Sequence, residues 1–140
     1  MDLAFDAEGL VAYMAEIFPQ VAEDFAVDDL STSGITMRLK VADRHLRPGG
    51  TVSGPAMFSL ADVTVYALVL SRLGPRALAV TTNCSLDFMR KPEAGRDIIA
   101  RGTLLKLGRS LAVGDVHMFS EGADHMVARS TMTYSIPPKD

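Results

Sequence analysis

The sequence predicts an α+β architecture: an antiparallel sheet of about five to six strands curled around one central α-helix, with an extra helix at the N-terminus. Three observations predict it. The run GPAMFSLADVTVYALVLSRL (54–73) is too long for a strand and apolar nearly all round, as a helix buried on more than one side must be. One segment of strand character precedes it and four follow. The connections among those last four are short enough to be turns between antiparallel neighbours. A length of 140 residues, with 48% hydrophobic and 22% charged residues, fits one packed domain over 1–140.

Taken in order, residues 5–20 place Leu10, Met14, Ile17 and Phe18 at helical spacing and end at Pro19, which predicts an amphipathic N-terminal helix. Residues 33–41 alternate Ile35, Met37, Leu39 and Val41 with Thr36, Arg38 and Lys40, a strand with one wet face. Pro48-Gly49-Gly50 then marks a loop that delivers the chain to Ser53, a good N-cap. Pro55 is tolerated in the first helical turn, where no intrahelical donor is needed, and Gly74-Pro75 stops the helix. The remaining strands fall within 77–136, in ALAVTTNCSLDFM, GRDIIARGTLLKL, SLAVGDVHMFS and HMVARSTMTYSI, separated by RKPEAG, GR and EGAD.

Composition excludes several classes of function. With 14 basic against 17 acidic residues the net charge is -3, which argues against general binding of nucleic acid or an anionic membrane. A lone cysteine, Cys84, leaves no intramolecular disulfide and no multi-cysteine metal site. The start MDLAFDAEGL lacks the pattern of a signal peptide, so a reducing cytoplasm is expected. His45, His117 and His125 are too scattered for a metal site and are expected to be structural. The apolar run, interrupted by Asp62 and closed by Arg72, reads as a buried helix rather than a membrane span.

Asp62 is the residue that asks for an explanation, because an unpaired charge in an apolar setting costs several kcal/mol or is neutralised. Its helical neighbours four positions away are Phe58 and Tyr66, neither of them a cation. Two readings stand: a functional carboxylate acting as general base or nucleophile, or a structural one neutralised by an arginine or by the hydroxyls of Ser59 and Thr64. Gly54 likewise either serves the turn into the helix or offers its N–H to a ligand oxygen that the missing Cβ lets approach. The two residues are eight apart, which is about 12 Å along a helix. One chain cannot bring both to one carbonyl, so joint action requires a second subunit across a two-fold axis.

The pattern RPGGTVSGPAMFSLAD, followed by DFMRKP, LLKLGRSLAVGDV and TMTYSIPP, resembles the phenylacetate-pathway (PaaI-like) acyl-CoA thioesterases of the hotdog fold over roughly residues 33–136. Where that family opens its central helix with His-Gly-Gly, this chain has Ser53-Gly54-Pro55, and Arg47 stands where many members carry asparagine. The resemblance implies hydrolysis of an acyl- or aryl-acyl-CoA thioester to free acid and CoA. It implies Asp62 as general base or nucleophile, the Gly54 N–H on the carbonyl and the Thr81 hydroxyl orienting water. Arg90, Lys91, Lys106 and Arg109, with Ser53, would hold the substrate and the phosphates of its coenzyme A, the only cofactor-like group expected. Homodimers with sites at the interface, often paired into homotetramers, follow from the same resemblance. The alternative is a hotdog protein that binds acyl-CoA without turnover; a hotdog dehydratase fits less well, because Ser53 replaces the nearest histidine of its motif.

Overall fold

In the computed structural model, which describes residues 2–138, the chain begins with helix α1 (Ala7–Ile17). Asp6 caps it by accepting the Gly9 N–H at 2.7 Å, and Leu10 and Met14 are buried against the core. The helix expected over 5–20 is broken. Phe18 leaves helical geometry (φ -143°, ψ 62°) and Pro19 opens a separate turn, α2 (Pro19–Ala22), because the proline ring excludes the helical conformation from the residue before it.

A strand the alternation did not reveal follows, β1 (Phe25–Ser31), paired with β2 (Gly34–Leu39). Its register shifts between Val27 and Asp29, and it lies at the rim of the sheet, so Asp28 and Asp29 break the period that a buried face would have imposed. The central helix α3 spans Gly54–Leu73, and strands β3 (Val80–Phe88), β4 (Ile98–Leu107), β5 (Leu111–Ser120) and β6 (Ala128–Ser135) follow. They form one antiparallel six-stranded sheet in the order β1-β2-β4-β5-β6-β3. RKPEAG is therefore not a hairpin: β3 pairs with β6 and the chain crosses from one edge to the middle before β4.

The sheet curls around α3, of whose twenty residues fourteen are buried. Leu60, Leu68 and Leu70 are fully enclosed, each contributing about 1.5–3 kcal/mol of burial. The helix sits close because β4 and β5 offer it glycines. A Cβ on Gly102 would come within 2.7 Å of Thr64, and one on Gly114 within 2.8 Å of Val65. Although α3 is long and apolar enough to cross a membrane, 72% of its apolar window is buried within this fold. Its C-terminus is closed by Gly74 at φ 82° and by Arg72, which donates to the Thr32 carbonyl at 2.8 Å.

Candidate active site

Helix α3 is covered along its length except for one stripe near its N-terminus. Pro55, Phe58 and Ser59 are exposed there and Gly54 and Asp62 half-buried, positions that recur every four residues on one helical face. Strand β3 runs beside that stripe as an outer strand of the sheet.

Asp62 lies at the inner end of the stripe. Its Oδ1 accepts hydrogen bonds from the Thr81 hydroxyl at 2.5 Å and the Tyr134 hydroxyl at 2.6 Å, and Tyr134 also reaches the Asp62 carbonyl at 3.0 Å. Among the described residues no cation pairs with the carboxylate, and Oδ2 has no hydrogen-bond partner. Ser59 and Thr64 do not neutralise it: their hydroxyls donate to the carbonyls of Pro55 and Leu60 within the helix. Burial, and then the negative charge of Asp62, push the Tyr134 phenol far above its ordinary range, so it remains a donor at any physiological pH. Two donors thus fix one oxygen, and Asp62 lines an open cleft of about 430 Å³. Phe18, Val63, Tyr66 and Tyr134 line that cleft. Tyr66 stacks on Tyr134 with ring centroids 5.9 Å apart and meets Phe18 edge-on at 6.3 Å.

The other end of the stripe is built from the helix start. Ser53 Oγ accepts the Ala56 N–H at 3.2 Å, the Met57 N–H bonds the Ser53 carbonyl and Pro55 has no N–H, which leaves Gly54, among the described residues, with the unclaimed donor of the first turn. The loop before it is pinned by His45, whose Nδ1 accepts the Ala42 N–H at 2.9 Å and whose carbonyl accepts the Ser53 N–H at 2.8 Å. Beside Gly54 opens a second cleft, of about 370 Å³, lined by Arg47, Met57, Phe88, Arg90 and Lys91. The Phe88 ring lies 3.3 Å from where a Gly54 Cβ would sit.

The structure brings Thr81 to Asp62 and Arg90 with Lys91 to Gly54, and it separates those two groups. Lys106 and Arg109 lie around the β4–β5 turn, at the end of the sheet where Ala112 pairs Tyr134 and Tyr134 pairs Thr81. Arg90 and Lys91 follow Phe88 at the opposite end. Sequence reasoning missed Tyr134, which stands in the quoted segment TMTYSIPP but 72 residues from the acid it contacts. It also gave Arg47 no place in a cleft. Of the methionines, Met118 and Met132 are core, Met57 is core and also borders the cleft at Gly54, and the exposed Met89 lines that cleft.

The model of the thioesterase superfamily matches residues 49–126, a span that holds α3 with both ends of its open stripe and the Thr81 strand. The chain belongs to the thioesterase superfamily. Among solved structures, a candidate thioesterase from a Silicibacter species is 67% identical and superposes with a TM-score of 0.93 over 99% of this chain and 96% of that one. The phenylacetic acid degradation protein PaaI of Thermus thermophilus, solved as a single-residue mutant, is 29% identical with a TM-score of 0.73, over 85% of this chain and 99% of its own. Mouse acyl-coenzyme A thioesterase 13 is 23% identical over 83% of this chain and 82% of its own length. The superfamily membership makes the chain a thioester hydrolase of hotdog fold.

Proposed function

We propose that this thioesterase hydrolyses an acyl- or aryl-acyl-CoA, with Asp62 of one subunit and Gly54 of its partner acting on one carbonyl. The observation that carries this reading is the split of the open stripe: a carboxylate with one oxygen fixed and the other free at one end, an unclaimed N–H at the other. Two antiparallel copies of the stripe bring each acid to the other copy's amide and generate two identical sites.

In such a site the partner's Gly54 N–H donates to the thioester oxygen and gains strength as negative charge develops there. The free Oδ2 of Asp62 takes a proton from water as the water oxygen bonds the carbonyl carbon. The carbon–sulfur bond then breaks and the thiolate recovers that proton, leaving acid and thiol. Direct attack by Oδ2 breaks the carbon–sulfur bond and expels the thiolate as a mixed anhydride forms; water then opens the anhydride, freeing the acid and Asp62 and supplying the thiolate's proton, through the same free oxygen. Thr81 and Tyr134 hold Oδ1 in either route. The cations beside Gly54, Arg47, Arg90 and Lys91, suit the phosphates of coenzyme A, and the aromatic cleft beside Asp62 suits the acyl group. Lys106 and Arg109, around the β4–β5 turn at the Thr81 end of the sheet, would join them from the acid-bearing subunit. Coenzyme A enters as part of the substrate, and the residues call for no further cofactor; two such dimers pair into a tetramer by the same resemblance.

Thiol release from short, medium-chain and aromatic acyl-CoAs, followed with Ellman's reagent, tests the substrate class. Silence with the whole panel removes acyl-CoA as substrate. The composite site is tested by mixing inactive Asp62→Ala and Gly54→Val chains under conditions of subunit exchange. A heterodimer rebuilds one intact site of two, so about a quarter of wild-type activity returns at equal mixing. No recovery despite verified exchange places both groups in one chain.

A further inference from the structure

A buried imidazole stands behind the Gly54 amide. His45 ends the short 3₁₀ turn Asp43–His45 and is 7% exposed. It closes that turn from both sides: its own N–H donates to the Ala42 carbonyl at 2.9 Å, and its Nδ1 accepts the Ala42 N–H at 2.9 Å. A ring nitrogen that accepts carries no hydrogen, so the imidazole proton lies on Nε2. Nε2 is buried and, among the described residues, closes no hydrogen bond, although Asp24 Oδ2 lies 3.3 Å from it. Stability alone does not favour such a ring, since a buried donor without a partner is a cost; groups of this kind are retained where a site needs their geometry.

The carbonyl of the same residue accepts the Ser53 N–H at 2.8 Å. That bond closes a loop in which Leu46 bridges Val52 and the Arg47 N–H donates to the Thr51 carbonyl. The loop's tip, Pro48-Gly49-Gly50, is exposed, with its glycines at φ 104° and 87°. Ser53 caps α3, and the peptide unit that joins it to the next residue carries the Gly54 N–H. Its Oγ and its carbonyl accept the N–H groups of Ala56 and Met57, both inside α3. Among the described residues, the hydrogen bond that holds Ser53 from outside the helix is therefore the one to the His45 carbonyl.

We propose that His45 is a positioning residue for the hydrolysis: by holding its turn through Nδ1 it directs its carbonyl at Ser53 and so aims the Gly54 N–H at the thioester oxygen. This rests on the reading of Gly54 as the carbonyl donor and adds what aims it. His45 touches neither substrate nor reacting atoms; it acts through Ser53 on the amide of its own chain. Without that anchor the amide tilts with the glycine-rich loop, and a group displaced by about an ångström forfeits up to about 100-fold in rate. Because the donor strengthens only as charge develops on the oxygen, the loss falls on kcat.

Asparagine and leucine at position 45 separate this role from packing. Asparagine sets Oδ1 as far from Cβ as Nδ1 is and accepts the Ala42 N–H; leucine has nearly the same shape and no acceptor. Hydrolysis is followed by thiol release from the fastest-cleaved acyl-CoA, or from an S-acyl-N-acetylcysteamine thioester, which lacks the nucleotide, if every acyl-CoA is inert. In His45→Leu kcat is expected to fall about ten- to hundredfold, and in His45→Asn to return to within about threefold of the unsubstituted protein, with KM little changed in both. Equal losses in the two variants, no loss in His45→Leu, or a rise in KM alone overturns the proposal. If the leucine chain does not fold, the folded asparagine chain decides: a loss of about tenfold in kcat there overturns it.

A subunit-specific readout separates aim from general stability. In the mixture of Asp62→Ala and Gly54→Val chains, the rebuilt site takes its amide from the Asp62→Ala chain and its acid from the other. His45→Leu added to the Asp62→Ala chain should cut the recovered activity by the same factor as kcat; added to the Gly54→Val chain it should have a several-fold smaller effect. Equal loss on either chain marks a stability effect and overturns the proposal. Absence of recovery in the parent mixture removes the composite site, and the contrast between asparagine and leucine then decides the role of His45 by itself.

Discussion

Asp62 Oδ1 takes two hydroxyl hydrogen bonds, from Thr81 and Tyr134, and that asymmetry leaves Oδ2 as the carboxylate oxygen without a partner among the described residues. Asp62→Asn keeps the side chain's shape and removes its basicity, so kcat should fall by about 100-fold or more; unchanged turnover would exclude the acid from the reaction. Tyr134→Phe tests the positioning separately. The ring keeps its stack on Tyr66 and only the donor is lost, a charge-assisted hydrogen bond worth about 1.5–3 kcal/mol. If that bond is needed in the transition state, kcat drops roughly ten- to hundredfold while KM changes little. A rise in KM alone would assign Tyr134 to binding. Asp62 was legible because a carboxylate without a cation in an apolar helix contradicts its surroundings. Tyr134 was not, because no local pattern ties a tyrosine to an acid 72 residues earlier.

At the level of elements, the close approach of α3 to the sheet depends on what the strands leave out. Gly114 faces Val65 so closely that an added methyl would lie within 2.9 Å of both its γ-carbons. Since Val65 is fully buried in a packed core, Gly114→Ala should lower the unfolding free energy by about 1–3 kcal/mol. Chemical denaturation checks this, and an unchanged midpoint would mean the helix shifts without cost. Strand periodicity located β2, β4, β5 and β6 because each has one face on the core. It failed for β1, whose outer position and register shift remove the alternation. Pro19 was recognised as the end of a helix, but the turn that it opens is only four residues long, too short to carry a periodic signal.

Across the whole molecule, burial raises the phenol pKa of both Tyr134 and Tyr66. The unfolded chain releases these protons near about pH 10, whereas the folded chain retains them to higher pH. Over that interval the unfolded state binds fewer protons, so stability falls as pH rises; the contribution is whole below about pH 10 and is lost above it. Urea midpoints taken from about pH 8 to about pH 11.5 should decline steeply at the upper end, and less steeply in Tyr134→Phe; equal slopes would remove Tyr134 from the effect. The sequence by itself determined the central helix, its lone acid, the glycine at its start and the order of most strands, because hydrophobic periodicity and breaker residues act over a few neighbours. Only the tertiary structure decided that β3 lies beside β6 at a free edge, that Tyr134 meets Asp62, and that cations and acid occupy opposite ends of one open stripe. Those relations depend on strand pairing between distant segments, which local patterning does not encode.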